Sequence, residues 1–195
     1  MTHRIHRRAW LLGGVGLTAG AVLGWTAARS TISLAQADDA SPGHEDRLKK
    51  LKLELPRVPA VKGATIVPAV RSGDVLYVSG HTPRKGDKPL VGKLGKDMEV
   101  KEGNEAARLV GLTILAVVRA ELSSLDKVVR LVKALGMVNC TPDFTQQPAV
   151  VNGFSDLMVE VFGEKAGKGA RSAVGMSSLP GGAPVEVEVI FQVKG

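Results

Sequence analysis

The chain carries one cysteine, Cys140, in 195 residues. No disulfide can form within it, and Cys140 reads as a small buried residue at the end of a strand rather than a reactive thiol. Aromatic residues are also scarce: two Trp, one Tyr and four Phe. Both tryptophans, Trp10 and Trp25, fall within the first 37 residues. The remainder therefore has few rings on which nucleobases could stack. His3, His6, His44 and His81 show no metal-ligand spacing, so no metal site is expected. No glycine-rich phosphate loop opens a helix. A Ser79–His81 dyad would lack a third member. There is no internal repeat or low-complexity run.

What is present divides the chain. A basic pair, Arg7-Arg8, precedes a glycine-rich apolar run that continues to about Ala28, and Ala35-Gln36-Ala37 offers a small-x-small cleavage site. This predicts a signal peptide over 1–37, export by the twin-arginine route and cleavage after Ala37. The alternative is an uncleaved membrane anchor, since the run is nearly long enough to span. Cleavage implies a periplasmic or secreted protein with no lasting membrane association. The leader holds Arg4, Arg7, Arg8 and Arg29 and no acids, so its removal lowers the formal charge from +7 to +3. The basic balance is thus partly an export feature and does not point to nucleic acid.

Residues 38–55 read as a linker and a short helix. Ser41-Pro42 would cap that helix, Leu48, Leu51 and Leu55 would be its apolar positions, and Pro56 and Pro59 would end it. Residues 56–195 form one domain. Residues 64–70 and 75–79 predict a hairpin around Ser72-Gly73-Asp74. Thr82 to Asp97 reads as a loop, Val100 to Leu122 as a long helix with a broad apolar surface, and Val128 to Asn139 as an interior strand. Gln146 to Gly163 predicts a second helix, and two strands follow. The order ββαβαββ points to an α+β sandwich, one mixed sheet with both helices on one face. The other face then needs a partner or polar residues.

The last two strands carry the chemistry. Val185, Val187, Val189, Phe191 and Val193 alternate with Glu186, Glu188, Ile190 and Gln192. One strand face is therefore apolar and the other holds the carboxylates. Leu179-Pro180-Gly181-Gly182-Ala183-Pro184 supplies turn chemistry, so Ala170 to Phe191 reads as a hairpin that brings Arg171 near Glu186. Arginine grips a carboxylate with two parallel hydrogen bonds, and a nearby glutamate can serve as acid or base. Alternatively, Arg171 pairs with a nearby acid at a strand end and Glu186 is a solvated surface carboxylate. Glu188, two residues along the same face, could raise the proton affinity of its neighbour.

This segment resembles the signature of the RidA/YjgF family of reactive imine and enamine deaminases. Arg171, Ser172 and Val174, then Leu179-Pro180, then Val185-Glu186-Val187-Glu188 match its Arg-Ser-x-Val, Leu-Pro and Val-Glu-Val-Glu elements. Ser79-Gly80 resembles the dipeptide that closes the family's first hairpin, and Asn152 falls where the family often has asparagine. The resemblance spans about residues 55 to 195. It implies a chorismate-mutase-like fold and a homotrimer whose sheets pack together, with ligand clefts between subunits. The implied site is Arg171, Glu186, Ser79, Gly80 and Asn152. Arg171 would hold the carboxylate of a 2-imino or 2-enamino acid. Glu186 would deprotonate the water that attacks the imine carbon, and no metal or organic cofactor is required.

Three positions depart from the family pattern. Ile66 stands where a tyrosine is common, His81 where glutamine is common after Ser-Gly, and Ala173 where some members carry cysteine. Ile66 favours the alternative of a non-catalytic protein that binds a small carboxylate. Ribonuclease activity, also attached to the family's name, is opposed by the modest charge and the scarcity of aromatic side chains.

Overall fold

A computed structural model describes residues 43–58, 63 and 65–195. The expected leader over 1–37, the expected Ser41-Pro42 cap and Pro59 lie outside the described residues. The first helix, α1 (His44–Lys50), is shorter than expected, with Gly43 at its N-cap and Leu48 buried. Lys52 takes a positive φ of 52°, and the Leu53 amide reaches back to the Leu48 carbonyl at 3.2 Å. That left-handed closure ends the helix well before Pro56. Leu51 is exposed and Leu55 lies beyond the helix.

Strands β1 (Ala69–Ser72) and β2 (Val75–His81) form a hairpin around the expected turn, although β1 starts at Ala69 rather than at residue 64 and β2 runs two residues past the expected end at 79. The following segment holds a small two-stranded ribbon, β3 (Arg84–Lys85) with β4 (Lys88–Pro89), where a plain loop was expected. Helix α2 (Val100–Leu122) has the expected limits because Glu99 and Glu102 form a capping box at its start. Strand β5 (Val128–Asn139) is interior as expected. Helix α3 (Gln147–Gly167) runs four residues past the expected end, with a break at Gly163, where φ is +80°. Strands β6 (Ala170–Met176) and β7 (Val185–Val193) follow.

The five-stranded sheet has the order β1-β2-β7-β5-β6, antiparallel except for the parallel pair β5–β6. It is an α+β fold with a mixed sheet. The expected β6–β7 hairpin is not formed: β5 lies between the two strands. The segment from residue 177 to residue 184 crosses the end of β5 rather than turning back beside β6. A strand spacing near 4.8 Å makes that crossing only about 10 Å, well within reach of eight residues.

The core fills the space between α2, α3 and one sheet face. Leu76, Ala134, Val138, Val187 and Phe191 come from the sheet, and Val110, Ile114, Phe154 and Leu157 from the helices. The two helices cross closely. A Cβ on Gly153 would fall 2.0 Å from the Asn104 carbonyl oxygen, so only glycine fits there. Asn104 Nδ2 donates to the Ala149 carbonyl at 2.9 Å, and Arg108 holds Glu160 through two bonds of 3.1 and 2.7 Å.

Among the described residues, no helix covers the second sheet face. Tyr77 pairs with Ile190, which pairs with Lys133, while Ser172 pairs with Leu135 and Val174 with Met137. Val70, Tyr77, Val174 and Met176 on this side are exposed.

Candidate functional site

Arg171 pairs across β6–β5 with Ala134, which is buried under the helices, so its side chain leaves the sheet on the helix side. There Nη1 donates to Asn152 Oδ1 and to Ser155 Oγ, both at 2.9 Å. Asn152 and Ser155 lie three apart on α3 and therefore share a face. Arg171 and Asn152, paired only by resemblance in the sequence, are thus in direct contact. Ser155 was missed. Its signal was the Asn-x-x-Ser spacing, which places two hydrogen-bonding side chains side by side on one helix.

Glu186 occupies the opposite face. It pairs with Met137 on β5 and alternates with the buried Val185 and Val187. Its carboxyl lies against Gly80, where an added Cβ would meet Oε1 at 2.0 Å. Glycine at 80 is therefore what allows the carboxyl its place. The register of β2 against β7 shifts between Val78 and His81, which re-aims the chain at this point. Burial first, and then the neighbouring Glu188, hold the Glu186 carboxyl above its ordinary proton affinity. A half-buried carboxylate of raised proton affinity is a stronger base than a solvated one.

Ser79 has a structural bond. Its hydroxyl donates to the Val67 carbonyl at 2.7 Å, and its amide to the Pro68 carbonyl at 2.9 Å. These bonds fasten the segment before β1 onto β2, next to Gly80. The hydroxyl does not bond His81, so the Ser79–His81 dyad does not form. His81 Nε2 is buried with no hydrogen-bond partner among the described residues, and desolvation lowers its proton affinity. Ser79 also borders a groove of about 450 Å³ on the open face, lined further by Tyr77, Lys133, Ser172, Glu188 and Ile190. Lys133 Nζ donates to Ser172 Oγ at 2.8 Å across its floor. Cys140 is buried, 3.7 Å from Gln147 Nε2, and is packed as a structural residue.

The predicted site thus falls into two clusters. Arg171 with Asn152 lies on the helix side of the edge strand β6. Glu186 with Gly80 and Ser79 lies on the open face. The expectation that Arg171 and Glu186 approach each other within one chain is corrected. They are two strands apart on opposite faces, and three residue steps separate Glu186 from Val189, the β7 residue level with Arg171. Two strand spacings and three residue rises together put their Cα atoms about 14 Å apart.

Comparison with known proteins agrees with the fold. A family model described as "YjgF/chorismate_mutase-like, putative endoribonuclease" matches residues 45–184. Protein TCP17 of Trypanosoma cruzi is 42% identical over 147 residues, covering 75% of this chain and 91% of that protein. The crystal structure of Atu1372 from Agrobacterium tumefaciens, a protein of unknown function, aligns with a TM-score of 0.70 and 39% identity over 78% of this chain and 92% of that one. A "putative endoribonuclease" from Shewanella oneidensis aligns with a TM-score of 0.73 and 30% identity over 78% of this chain and all of the other. With its sheet order, its Arg-Ser and Val-Glu-Val-Glu strands and these relatives, the chain belongs to the YjgF/RidA family.

Proposed function

We propose that this protein hydrolyses reactive 2-imino and 2-enamino acids to 2-keto acids and ammonia. The observation that carries the reading is Glu186, whose carboxyl rests on Gly80 with raised proton affinity. An enamine first takes a proton on carbon and becomes the imine. Arg171 holds the substrate carboxylate. Glu186 removes a proton from water, and the oxygen attacks the imine carbon. The C=N π electrons move to nitrogen, which is protonated. The proton that Glu186 took from water goes to that nitrogen. In the tetrahedral adduct the hydroxyl proton then passes through Glu186 to the amine. The C–N bond breaks as the C=O bond forms, and ammonia leaves the keto acid behind.

Opposite faces of one sheet cannot serve one small substrate. The reading therefore requires Arg171 of one copy and Glu186 of another, in the homotrimer that the family resemblance implies. The uncovered face supports this, since Val70, Tyr77, Val174 and Met176 would be buried by packing sheet on sheet. Export through residues 1–37 belongs to the same proposal and rests on the Arg7-Arg8 pair and the Ala35-Gln36-Ala37 site.

A second reading is a non-catalytic carboxylate-binding protein. Ile66, 63% exposed, favours it, because an apolar side chain stands where a tyrosine could order water or ligand. The endoribonuclease activity in the family description is not adopted. Without its leader the chain has a charge of only +3 and no tryptophan. The deciding experiment is ammonia release from freshly generated imino acids by the purified full chain. Release that Glu186→Gln abolishes supports the deaminase. No release, together with keto-acid binding that Arg171→Lys weakens, establishes the binding protein instead.

A further inference from the structure

We propose that Ser155, acting with Asn152, sets the direction in which Arg171 offers its guanidinium, so that the substrate carboxylate is held side-on by the Nε–Nη2 edge. The inference rests on the carboxylate-binding role of Arg171 proposed above. An Nη amino group has two hydrogens, and the guanidinium has five N–H donors in all. Both hydrogens of Nη1 are committed, one to Asn152 Oδ1 and one to Ser155 Oγ. A bidentate carboxylate needs two parallel N–H bonds from adjacent nitrogens. The end-on pair, Nη1 with Nη2, is therefore used up. The Nε–Nη2 pair is what remains, and among the described residues neither atom has a hydrogen-bond partner.

The two acceptors are themselves held in place. Helix α3 is fixed against α2 by the close crossing at Gly153, by Asn104 on the Ala149 carbonyl and by the Arg108–Glu160 pair. Ser155 and Asn152 cannot follow Arg171 if it swings away. The arginine is thus oriented before any ligand arrives, which removes part of the ordering that binding would otherwise require. Ser155 is a positioning residue, since it touches the arginine and not the substrate.

The test uses the full chain with pyruvate as the 2-keto acid probe. Pyruvate affinity is measured by calorimetry and does not depend on turnover. Ser155→Ala should weaken pyruvate binding about fivefold, the scale of one hydrogen bond to the guanidinium. KM for a carboxylate-bearing imine should rise by a similar factor, with kcat little changed. Turnover of an imine lacking a carboxylate should be unaffected. Ser155→Thr restores the acceptor and should recover the affinity. In an Arg171→Lys background, Ser155→Ala should add nothing.

A wild-type protein that binds pyruvate while Ser155→Ala binds it equally well overturns the positioning role and leaves the reading of Arg171 standing. So does an effect of Ser155→Ala that persists undiminished in the Arg171→Lys background. A wild-type protein that neither binds pyruvate nor releases ammonia overturns the Arg171 reading, and the positioning role with it.

Discussion

Consecutive residues of β7 live in two different surroundings. Val185, Val187, Val189, Phe191 and Val193 are between 0% and 2% exposed beneath the helices. Glu186, Glu188, Ile190 and Gln192 point to the side that no helix of the described residues covers. One strand thus presents a finished packing surface and an unfinished one. The first is held by shape and apolar burial. The second mixes carboxylates, Lys133 and exposed apolar side chains, a combination that makes sense against a second copy of the chain.

The largest expected effect separates the two faces at neighbouring positions. Phe191→Ala should cost about 3–5 kcal/mol of stability, because it empties the core between sheet and helices. Ile190→Glu should leave the subunit folded, with unchanged far-UV circular dichroism, and convert a trimer to monomers in light scattering. Equal loss of fold from both substitutions would erase the distinction between the faces.

The next effects are chemical. Glu186→Gln should slow turnover by about a hundredfold, the range of a lost general base, while pyruvate binding persists. Gly80→Ala should act in the same direction without unfolding the chain, because its methyl group would occupy the place of the Glu186 carboxyl. Arg171→Lys should reduce activity by about tenfold through loss of its fork. Silent Arg171→Lys in both binding and turnover would make that arginine purely structural.

On the covered side, Gly153→Ala should cost about 1–3 kcal/mol, since the added Cβ collides with the Asn104 carbonyl. A thermal melt unchanged by that substitution would mean that the helix crossing is not close.

The smallest effect is that of pH. His44 stacks edge-on against Phe162 at 5.0 Å, and burial lowers its proton affinity, as it does for His81. For a histidine whose folded-state pKa is depressed, the unfolded chain binds more protons. The stability it contributes is complete above the ordinary value of 6.5 and is lost as pH falls through the folded-state value. The melting temperature should therefore be lower near about pH 5 than near about pH 7, with His44→Gln flattening part of the slope. Glu186 has the opposite sign. Its folded-state proton is retained above the ordinary 4.5, so its favourable contribution lies at low pH and fades as pH rises through the folded-state value. The rising limb of activity should sit above 4.5 for the same reason, as a pH–rate profile would show.

The covered face was legible in sequence because it obeys local rules. The alternation of β7, the apolar breadth of α2 and the β-branched run of β5 all reported burial correctly. The neighbours of β6 were not legible. A short Leu-Pro-Gly-Gly segment suits a hairpin, but it also suits a crossing over one strand end, and only the pairing of β6 with β5 distinguishes them. That choice also decides the face from which Arg171 projects, so an error in topology became an error in the site. Arg171, Asn152, Gly80 and Glu186 were singled out through their motifs. Ser155 was not, because nothing within the motif marks a residue whose value depends on the arginine it touches.

The proposed division of the site between two copies has one most direct test. Arg171→Lys and Glu186→Gln chains, each weakened alone by about tenfold and about a hundredfold, are co-expressed with different tags, and the mixed oligomers are isolated through both. If a cleft takes Arg171 from one copy and Glu186 from the next, every mixed trimer contains one intact cleft, and activity should return to about a third of the wild-type value per trimer. Mixed oligomers no more active than the Arg171→Lys parent, from a wild type that releases ammonia, would contradict the account.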